Sequence, residues 1–316
     1  MKRDNYFIET SRRTKTLYTG FPKNEAMLII GCSHGLHLAQ KVAKKAKAAY
    51  SPLFVNKFPD GELYARFQAS LKGKDVVLVQ SFYGEINDAL VEVVFAAKTA
   101  KELGAKKVSL AAPYFPYLRQ DKRFKPGEAI SSHIVGKLLS NYLDEIYIMD
   151  PHLHRDKTLD HIFHIKSHRL SADPLIAQYI KKKIPNPVII GPDWESYKWA
   201  KKTALMIGVE YTILEKTRYS SRHVDVKFTK PIHLKGKTAV IVDDIVSSGH
   251  TLLETIKDLH RLKSKKIVCI CVHGIFAENA LQKLWRAGSK VVSCNTIPNK
   301  AVGIDVSGIL ADALKN

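Results

Sequence analysis

Runs of nearly unbroken apolar residues punctuate the chain at Val76 to Val79, Val188 to Ile190 and Ala239 to Val242. Apolarity without polar alternation is what parallel strands buried on both faces require. Between these runs lie segments of helical spacing. In Asn87 to Leu103 the residues Leu90, Val94, Ala97 and Lys101 recur every three to four positions, with Asn87 placed to cap the start. Leu252 to Leu262 carries a second helical pattern. Alternating β and α elements predict an α/β fold, a mainly parallel, doubly wound sheet flanked by helices with right-handed crossovers.

The pattern occurs twice, about 160 residues apart. LKGKDVVLV at Leu71 to Val79 is echoed by LKGKTAVIV at Leu234 to Val242, and KKVSLAAPY from Lys106 by KKIVCICVH from Lys265. Ile29 to Gly31, before a helix rich in Ala and Lys, answers Ile189 to Gly191 before SYKWAKKTAL. Two similar α/β domains are therefore expected, at 26–166 and 167–302. A C-terminal helix, 303–316, is expected to rejoin the first, and residues 1–25 form a basic extension outside the repeat.

Composition narrows the class. With 316 residues, 45% hydrophobic and 25% charged, the chain reads as a soluble globular protein. No apolar run approaches the roughly 20 residues that span a bilayer, and MKRDNYFIETSRRTK lacks a signal peptide's apolar stretch, so a cytoplasmic location without a membrane partner is expected. Cys32, Cys269, Cys271 and Cys294 have no metal-type spacing and read as buried, reduced thiols. The formal charge of +20 raises the question of nucleic acid. Lys41, Lys44, Lys45 and Lys47, however, spread over a helix face, with no basic stripe interleaved with aromatics. A polyanionic small-molecule substrate accounts for the charge as well, and a nucleic-acid partner is not expected.

The richest chemistry lies in TAVIVDDIVSSGHT, Thr238 to Thr251. An apolar strand ends on Asp243 and Asp244, then small residues around Gly249 lead into a helix. Backbone N–H groups of such a loop and the positive helix start suit a phosphate dianion. The carboxylates sit where they can accept from sugar hydroxyls or hold Mg²⁺ through water. Ligands of doubly wound sheets bind beyond the strand C-termini, where Asp243 lies.

Three other segments are decoys or context. GCSHG at Gly31 to Gly35 fits a nucleophile elbow around Ser33, but too little chain precedes it to build the oxyanion hole, and Gly191-Pro192-Asp193 in the second half has no serine. Gly236-Lys237-Thr238 ends like a phosphate-binding Walker loop, yet Pro231 stands at the first glycine and the segment precedes its strand. Asp150-Pro-His152-Leu-His154-Arg-Asp156 has metal-ligand residue types and follows the apolar strand EIYIM, so Asp150 and His152 emerge at another strand end.

Four segments, in this order and spacing, together resemble the ribose-phosphate pyrophosphokinase (PRPP synthetase) family. They are Phe58-Pro-Asp60-Gly-Glu62, PYFPYLRQDKR from Pro113 to Arg123, Asp150-Pro-His152, and VDDIVSSGHT from Val242 to Thr251. The similarity runs from about Met27 to the C-terminus. It implies two phosphoribosyltransferase-like domains and Mg²⁺-dependent transfer of the β,γ-pyrophosphoryl group of ATP to the 1-hydroxyl of ribose 5-phosphate, giving PRPP and AMP. By this resemblance Arg119, Gln120 and Asp121 meet ATP, and Phe58, Asp60 and Glu62 form an adenine loop lent by a neighbouring subunit. A homo-oligomer, at least a dimer, follows. His152 and Asp193 are implied at the metal; Asp243 and Asp244 at the ribose hydroxyls; Ser247, Ser248, Gly249, His250 and Thr251 around the 5-phosphate. Lys216 and Arg218 resemble the basic pair of the family's catalytic loop.

The chain departs from the family pattern at Glu215-Lys216-Thr217-Arg218, at His250 where glycine is common, at Pro151 where leucine is usual, and from Leu153 to His164. These departures raise a rival reading, a catalytically weak regulatory subunit that binds nucleotide or sugar phosphate. A third, a phosphoribosyltransferase that consumes PRPP, leaves RQDKR unexplained.

Overall fold

The computed structural model of the chain describes residues 24–153, 158–192, 196–218, 224–229 and 234–315. Most of the expected extension, residues 1–23, lies outside the described residues, as do Asp193, His154 and Asp156. The first half runs β1 (Asn24–Gly31), α1 (Leu36–Ala46), β2 (Ala48–Lys57), β3 (Leu63–Phe67), β4 (Asp75–Val79), α2 (Ile86–Glu102), β5 (Lys107–Ala112), α3 (Ser131–Ser140), β6 (Glu145–Met149), β7 (Lys166–Leu170) and α4 (Asp173–Lys183). The second repeats it as β8 (Pro187–Gly191), α5 (Tyr197–Ile207), β9 (Tyr211–Arg218), β10 (Val224–Phe228), β11 (Thr238–Val246), α6 (His250–Arg261), β12 (Ile267–Gly274), α7 (Ala280–Arg286), β13 (Ser289–Cys294), β14 (Val302–Ile304) and α8 (Ser307–Ala313).

Each half forms a seven-stranded sheet, ordered β3-β2-β1-β4-β5-β6-β7 and β10-β9-β8-β11-β12-β13-β14. Among the described residues only the edge pairs β2–β3 and β9–β10 are antiparallel. The two-domain, mainly parallel α/β expectation holds. The repeat extends to turn geometry: Gly73 and Gly236 take φ of +72° and +76° in their LKGK turns. In both, the second lysine's N–H returns to the leucine carbonyl, Lys74 to Leu71 at 3.0 Å and Lys237 to Leu234 at 3.1 Å. Glycine is required there because a side chain at that φ is strained.

The two sheets share one helical layer. Ile29, Val77 and Met149 of the first sheet and Ile189, Val240 and Ile270 of the second belong to a single cluster with residues of α1, α4, α5 and α8. The last helices are exchanged: α4 follows the first sheet but packs on α5, whereas α8 follows the second and packs on α1. Apolar side chains drive both contacts, with Val42, Ile176, Ala204 and Leu310 fully buried. Polar locks add to them: Asp173, buried on α4, lies 2.6 Å from Lys202 Nζ, and Asp305 lies 3.6 Å from Lys45 Nζ. The outer faces are covered by α2 and α3 on the first sheet and α6 and α7 on the second.

Some details differ from expectation. Helix α2 starts at Ile86, so Asn87 does not cap it; its Oδ1 instead accepts from the Tyr117 hydroxyl. The first sheet reaches Leu170, past the expected division at residue 166, because β7 pairs along β6 from Glu145 to Met149. All four cysteines are buried free thiols.

Glu145 shows what burial does to a structural carboxylate. It sits on β6 with Lys107 Nζ at 2.8 Å, Lys166 Nζ at 3.2 Å and the Tyr147 hydroxyl donating at 2.7 Å. Burial alone pushes its pKa up, but these donors outweigh it and bring the carboxyl from 4.5 down to about 2. The folded state therefore favours the charged form. Its contribution to stability is present above pH 4.5 and is lost as pH falls towards about 2. Glu145→Gln is expected to lower stability at neutral pH and to flatten the acid limb of a urea-unfolding titration; an unchanged acid limb would show that Glu145 is not a source of it.

Candidate active site

The strand order reverses between β8 and β11, the point where doubly wound sheets open a crevice. Register shows how it opens here. β11 pairs with β8 only from Thr238 to Ile241, but with β12 as far as Val246. Asp243 and Asp244 thus lie inside a strand that has lost its β8 neighbour, where the apolar run alone ends at Val242. Asp243 Oδ1 accepts the Asp244 N–H at 3.0 Å and is approached by Ser196 Oγ, at the start of α5, at 3.5 Å.

Asp244 is turned to the other half. Its Oδ2 lies 2.6 Å from His152 Nδ1, and its Oδ1 accepts the Ile245 N–H at 2.7 Å. Burial raises the Asp244 pKa, but the hydrogen bond and charge of His152, with His273 behind it, hold the carboxyl below its ordinary value. Asp150, two residues before His152, is buried with a φ of +37° and accepts the Ala172 N–H on Oδ2 at 2.6 Å. The first half's β6 turn and the second half's acidic strand therefore make one site.

Beyond β11 the chain turns through Ser247 and Ser248, both half-buried, to Gly249 at φ +71°. α6 then begins at His250 with no side-chain cap and no acidic residue in its first turn. The first N–H groups of a helix have no partner within it, so this turn presents donors and a positive dipole end to an anion. A Cβ on Gly249 would come within 3.2 Å of Ala280 Cβ, which with its φ makes glycine the fitting residue. The His250 imidazole is exposed and lies 3.3 Å from Glu254, along the helix surface. Thr251 is exposed in the first turn.

The other predicted residues are distributed as follows. Arg119 is exposed, Gln120 half-buried and Asp121 buried on the loop from β5 to α3. Glu128 braces that loop by accepting the Phe124 N–H, the Lys125 N–H and Gln120 Nε2 at 2.7, 3.0 and 3.2 Å. Burial raises the Tyr114 pKa, with smaller opposing effects of the Arg119 and Asp244 charges, and its ring lies against His273 with centroids 5.0 Å apart. Beside it Glu85, Asn87, Tyr114 and Tyr117 line a cleft of about 390 Å³. Phe58, Asp60 and Glu62 form the exposed tip of the β2–β3 hairpin, closed by the Phe58 N–H donating to the Glu62 carbonyl at 2.8 Å. That hairpin is at the sheet edge, three strand spacings from β5, about 14 Å, so the fold of one chain sets it apart from the Arg119 loop. Positions 216 and 218 belong to β9 just before it turns to β10; their side chains, like Asp193, lie outside the described residues.

Among the described residues no three His, Cys, Asp or Glu side chains group closely enough to hold a metal ion by themselves. Two adjacent carboxylates suit a hard cation that takes its remaining ligands from water and phosphate.

Sequence reading missed a set of residues that tie the halves together. His273, at the end of β12, places Nε2 3.1 Å from the Met149 carbonyl. Ser81 Oγ donates to the Thr296 carbonyl, and His37 Nε2 donates to the Asn295 carbonyl at 3.0 Å. The available signal was a polar residue closing an otherwise apolar strand, as in CICVH. The turn after β1, the counterpart of the turn after β8, is sealed. Glu92, 1% exposed on α2, accepts the Ser33 N–H at 2.8 Å, the Ser33 hydroxyl and Gln80 Nε2 at 3.1 Å. Ser33 is thus a bound structural hydroxyl.

Comparison with known proteins agrees along the chain. A family model described as the N-terminal domain of ribose phosphate pyrophosphokinase matches residues 27–142, and one for the phosphoribosyl transferase domain matches residues 159–307. The ribose-phosphate pyrophosphokinase of Methanothermobacter thermautotrophicus is 36% identical over 291 residues, covering 92% of this chain and all of that one. That of Pyrococcus furiosus is 36% identical over 280 residues, covering 89% of this chain and 97% of its own. The crystal structure of phosphoribosylpyrophosphate synthetase from Mycobacterium smegmatis superposes with a TM-score of 0.80 at 26% identity, covering 91% of this chain and 97% of that one.

Removing the seal on the first half has a defined cost. Glu92→Ala takes the acceptor from the half-buried Ser33 N–H and hydroxyl and leaves Gln80 Nε2 only the Ser33 Oγ at 3.4 Å, and is expected to lower the unfolding free energy by roughly 1 to 3 kcal/mol, as measured by urea denaturation; a loss under about 0.5 kcal/mol would show the network to be dispensable.

Proposed function

The chain belongs to the ribose-phosphate pyrophosphokinase family and, as an enzyme of that activity, makes phosphoribosyl pyrophosphate and AMP from ATP and ribose 5-phosphate; from this premise we propose how its residues divide the work. Asp243 and Asp244 accept from the ribose 2- and 3-hydroxyls, and residues 247–251 wrap the 5-phosphate with main-chain N–H groups. The observation that carries this assignment is the acid pair in the crevice beside β8, followed directly by the uncapped start of α6. A dianion at that helix start meets donors that need no reorganisation.

ATP lies on the first half's side, against Arg119, Gln120 and Asp121, with Tyr114 between that loop and Asp244. The ribose 1-hydroxyl attacks the β-phosphorus, the bond from that phosphorus to the α-phosphate oxygen breaks, and AMP leaves with release of a proton. Little covalent chemistry falls to the protein; alignment and charge neutralisation dominate. Lys216 and Arg218, at the end of β9, stabilise the transferring phosphates in the transition state. His152 and Asp193 would hold Mg²⁺, which would supply neutralisation of the phosphate charge. His152 and Asp244 hold one another across the junction of the halves, which keeps the two substrate sides in register.

Phe58, Asp60 and Glu62 complete the ATP site of a neighbouring copy, since within one chain they stand at the sheet edge. An aromatic face with acceptors for an amino group is what an adenine pocket needs. The working enzyme is therefore a homo-oligomer, at least a dimer, of two phosphoribosyltransferase-like domains with α8 returned to the first. None of the described helices is long and apolar enough to cross a membrane, and the proposed place of work is the cytoplasm. The regulatory-subunit alternative is not favoured, because the relatives matched over nearly the whole chain bear the enzyme's name.

With MgATP and ribose 5-phosphate the purified protein is expected to release AMP and PRPP together, and chelation of the metal to stop both. Asp243→Asn is expected to lower kcat/KM for ribose 5-phosphate by about tenfold to a hundredfold, the loss of a charged hydrogen bond of roughly 1.5 to 3 kcal/mol, with little change in melting temperature. A variant that fails to fold would make Asp243 structural. Mixing Phe58→Ala chains with Asp243→Asn chains tests the lent hairpin: subunit exchange is expected to restore part of the activity, and mixtures no better than the sum of the two would argue for sites complete within one chain.

A further inference from the structure

His273 is buried, and both ring nitrogens have polar neighbours. Nε2 lies 3.1 Å from the Met149 carbonyl and 3.3 Å from the Asp150 carbonyl, both in the other half of the molecule. Carbonyls only accept, so Nε2 carries the proton. Nδ1 lies 3.0 Å from Thr296 Oγ1, whose single proton is shared between Nδ1 and the Val272 carbonyl at 2.8 Å. The ring also leans on Tyr114, with centroids 5.0 Å apart. Burial keeps the imidazole neutral, its pKa lowered to about 4.

The two carbonyls that His273 holds belong to the turn that delivers His152. In that turn Asp150 adopts a left-handed φ, a conformation that side chains other than glycine's hold only when neighbours enforce it. The Ala172 N–H holds the Asp150 side chain, and His273 holds its main chain. Two residues on, His152 meets Asp244, which lies on β11 beside His273's own strand. One residue of the second half therefore braces the first half's turn immediately behind the junction.

We propose that His273 is a positioning residue: its Nε2–H pins the turn at Met149 and Asp150 to the second half and so aims His152 at Asp244. It touches neither substrate. A histidine that merely fills the core would be replaceable by any ring of its size, whereas this role requires a donor at Nε2. The kinetic part of the inference rests on the pyrophosphokinase reading; the geometric part does not.

The test compares the full-length wild type with His273→Gln, which keeps an N–H donor within similar reach, and His273→Phe, which fills the space without one. Nuclear magnetic resonance of the histidine ring nitrogens follows His152, and steady-state kinetics follows turnover. His273→Phe is expected to lower kcat by about ten- to a hundredfold, the usual cost of losing a group that orients a site residue, with KM for ribose 5-phosphate nearly unchanged. It should also shift the His152 Nδ1 resonance away from its Asp244-bonded position. His273→Gln should recover most of both. A folded His273→Phe with normal kcat and an unshifted His152 resonance overturns the proposal, as does an equal loss in both variants. Should His273→Phe not fold, Thr296→Val, which removes the hydroxyl behind Nδ1, is expected to shift His152 and lower kcat in the same direction, and no change in either is again an overturning result. A wild type that makes no PRPP defeats the functional reading alone, because the His152 resonance still reports whether His273 sets its place.

Discussion

The four helices packed between the two sheets are the constraint on which the rest depends. Because α1 and α5 pack on their own sheets while α4 and α8 cross to the other half, neither half can bury its inner face without the other. Hydrophobic burial thus orients both sheets, and their C-terminal edges meet. The polar contacts at that edge, from His37 to Asn295, Ser81 to Thr296 and His152 to Asp244, are made because the apolar layer has already brought them together.

Two copies of one architecture carry different chemistry. In the first half, the turn after β1 is closed by a buried carboxylate, Glu92, that uses up the local donors. In the second, the acid pair of β11 stays in an open crevice. The counterparts by strand order, the turns after β4 and β11, also differ: Gln80, Ser81 and Phe82 are fully buried after the first, while Ser247 and Ser248 stay half-buried after the second. A chain with a net charge of +20 also attracts polyanionic substrates over long range.

Much of the fold was legible because it is local. Apolar strands, helical spacing and the two LKGK turns each state a period or a φ that a few neighbouring residues enforce. The acid strand and the turn at Gly249 were legible for the same reason. Asn87 misled because its capping chemistry is generic; Tyr117, thirty positions away, claims its side chain. β11 ran past its apolar core because pairing with β12, not composition, decides where a strand ends.

Sequence alone determined that the chain holds two α/β repeats and that the second follows an apolar strand run with paired carboxylates and a small-residue turn, since these follow from nearest-neighbour patterns. Only the tertiary structure decided that Asp244 meets His152 from 92 positions away, that His273 braces the turn between them, and that the Phe58 hairpin stands at a sheet edge. Such contacts are set by how apolar layers stack, and stacking joins residues whose separation along the chain leaves no periodic trace.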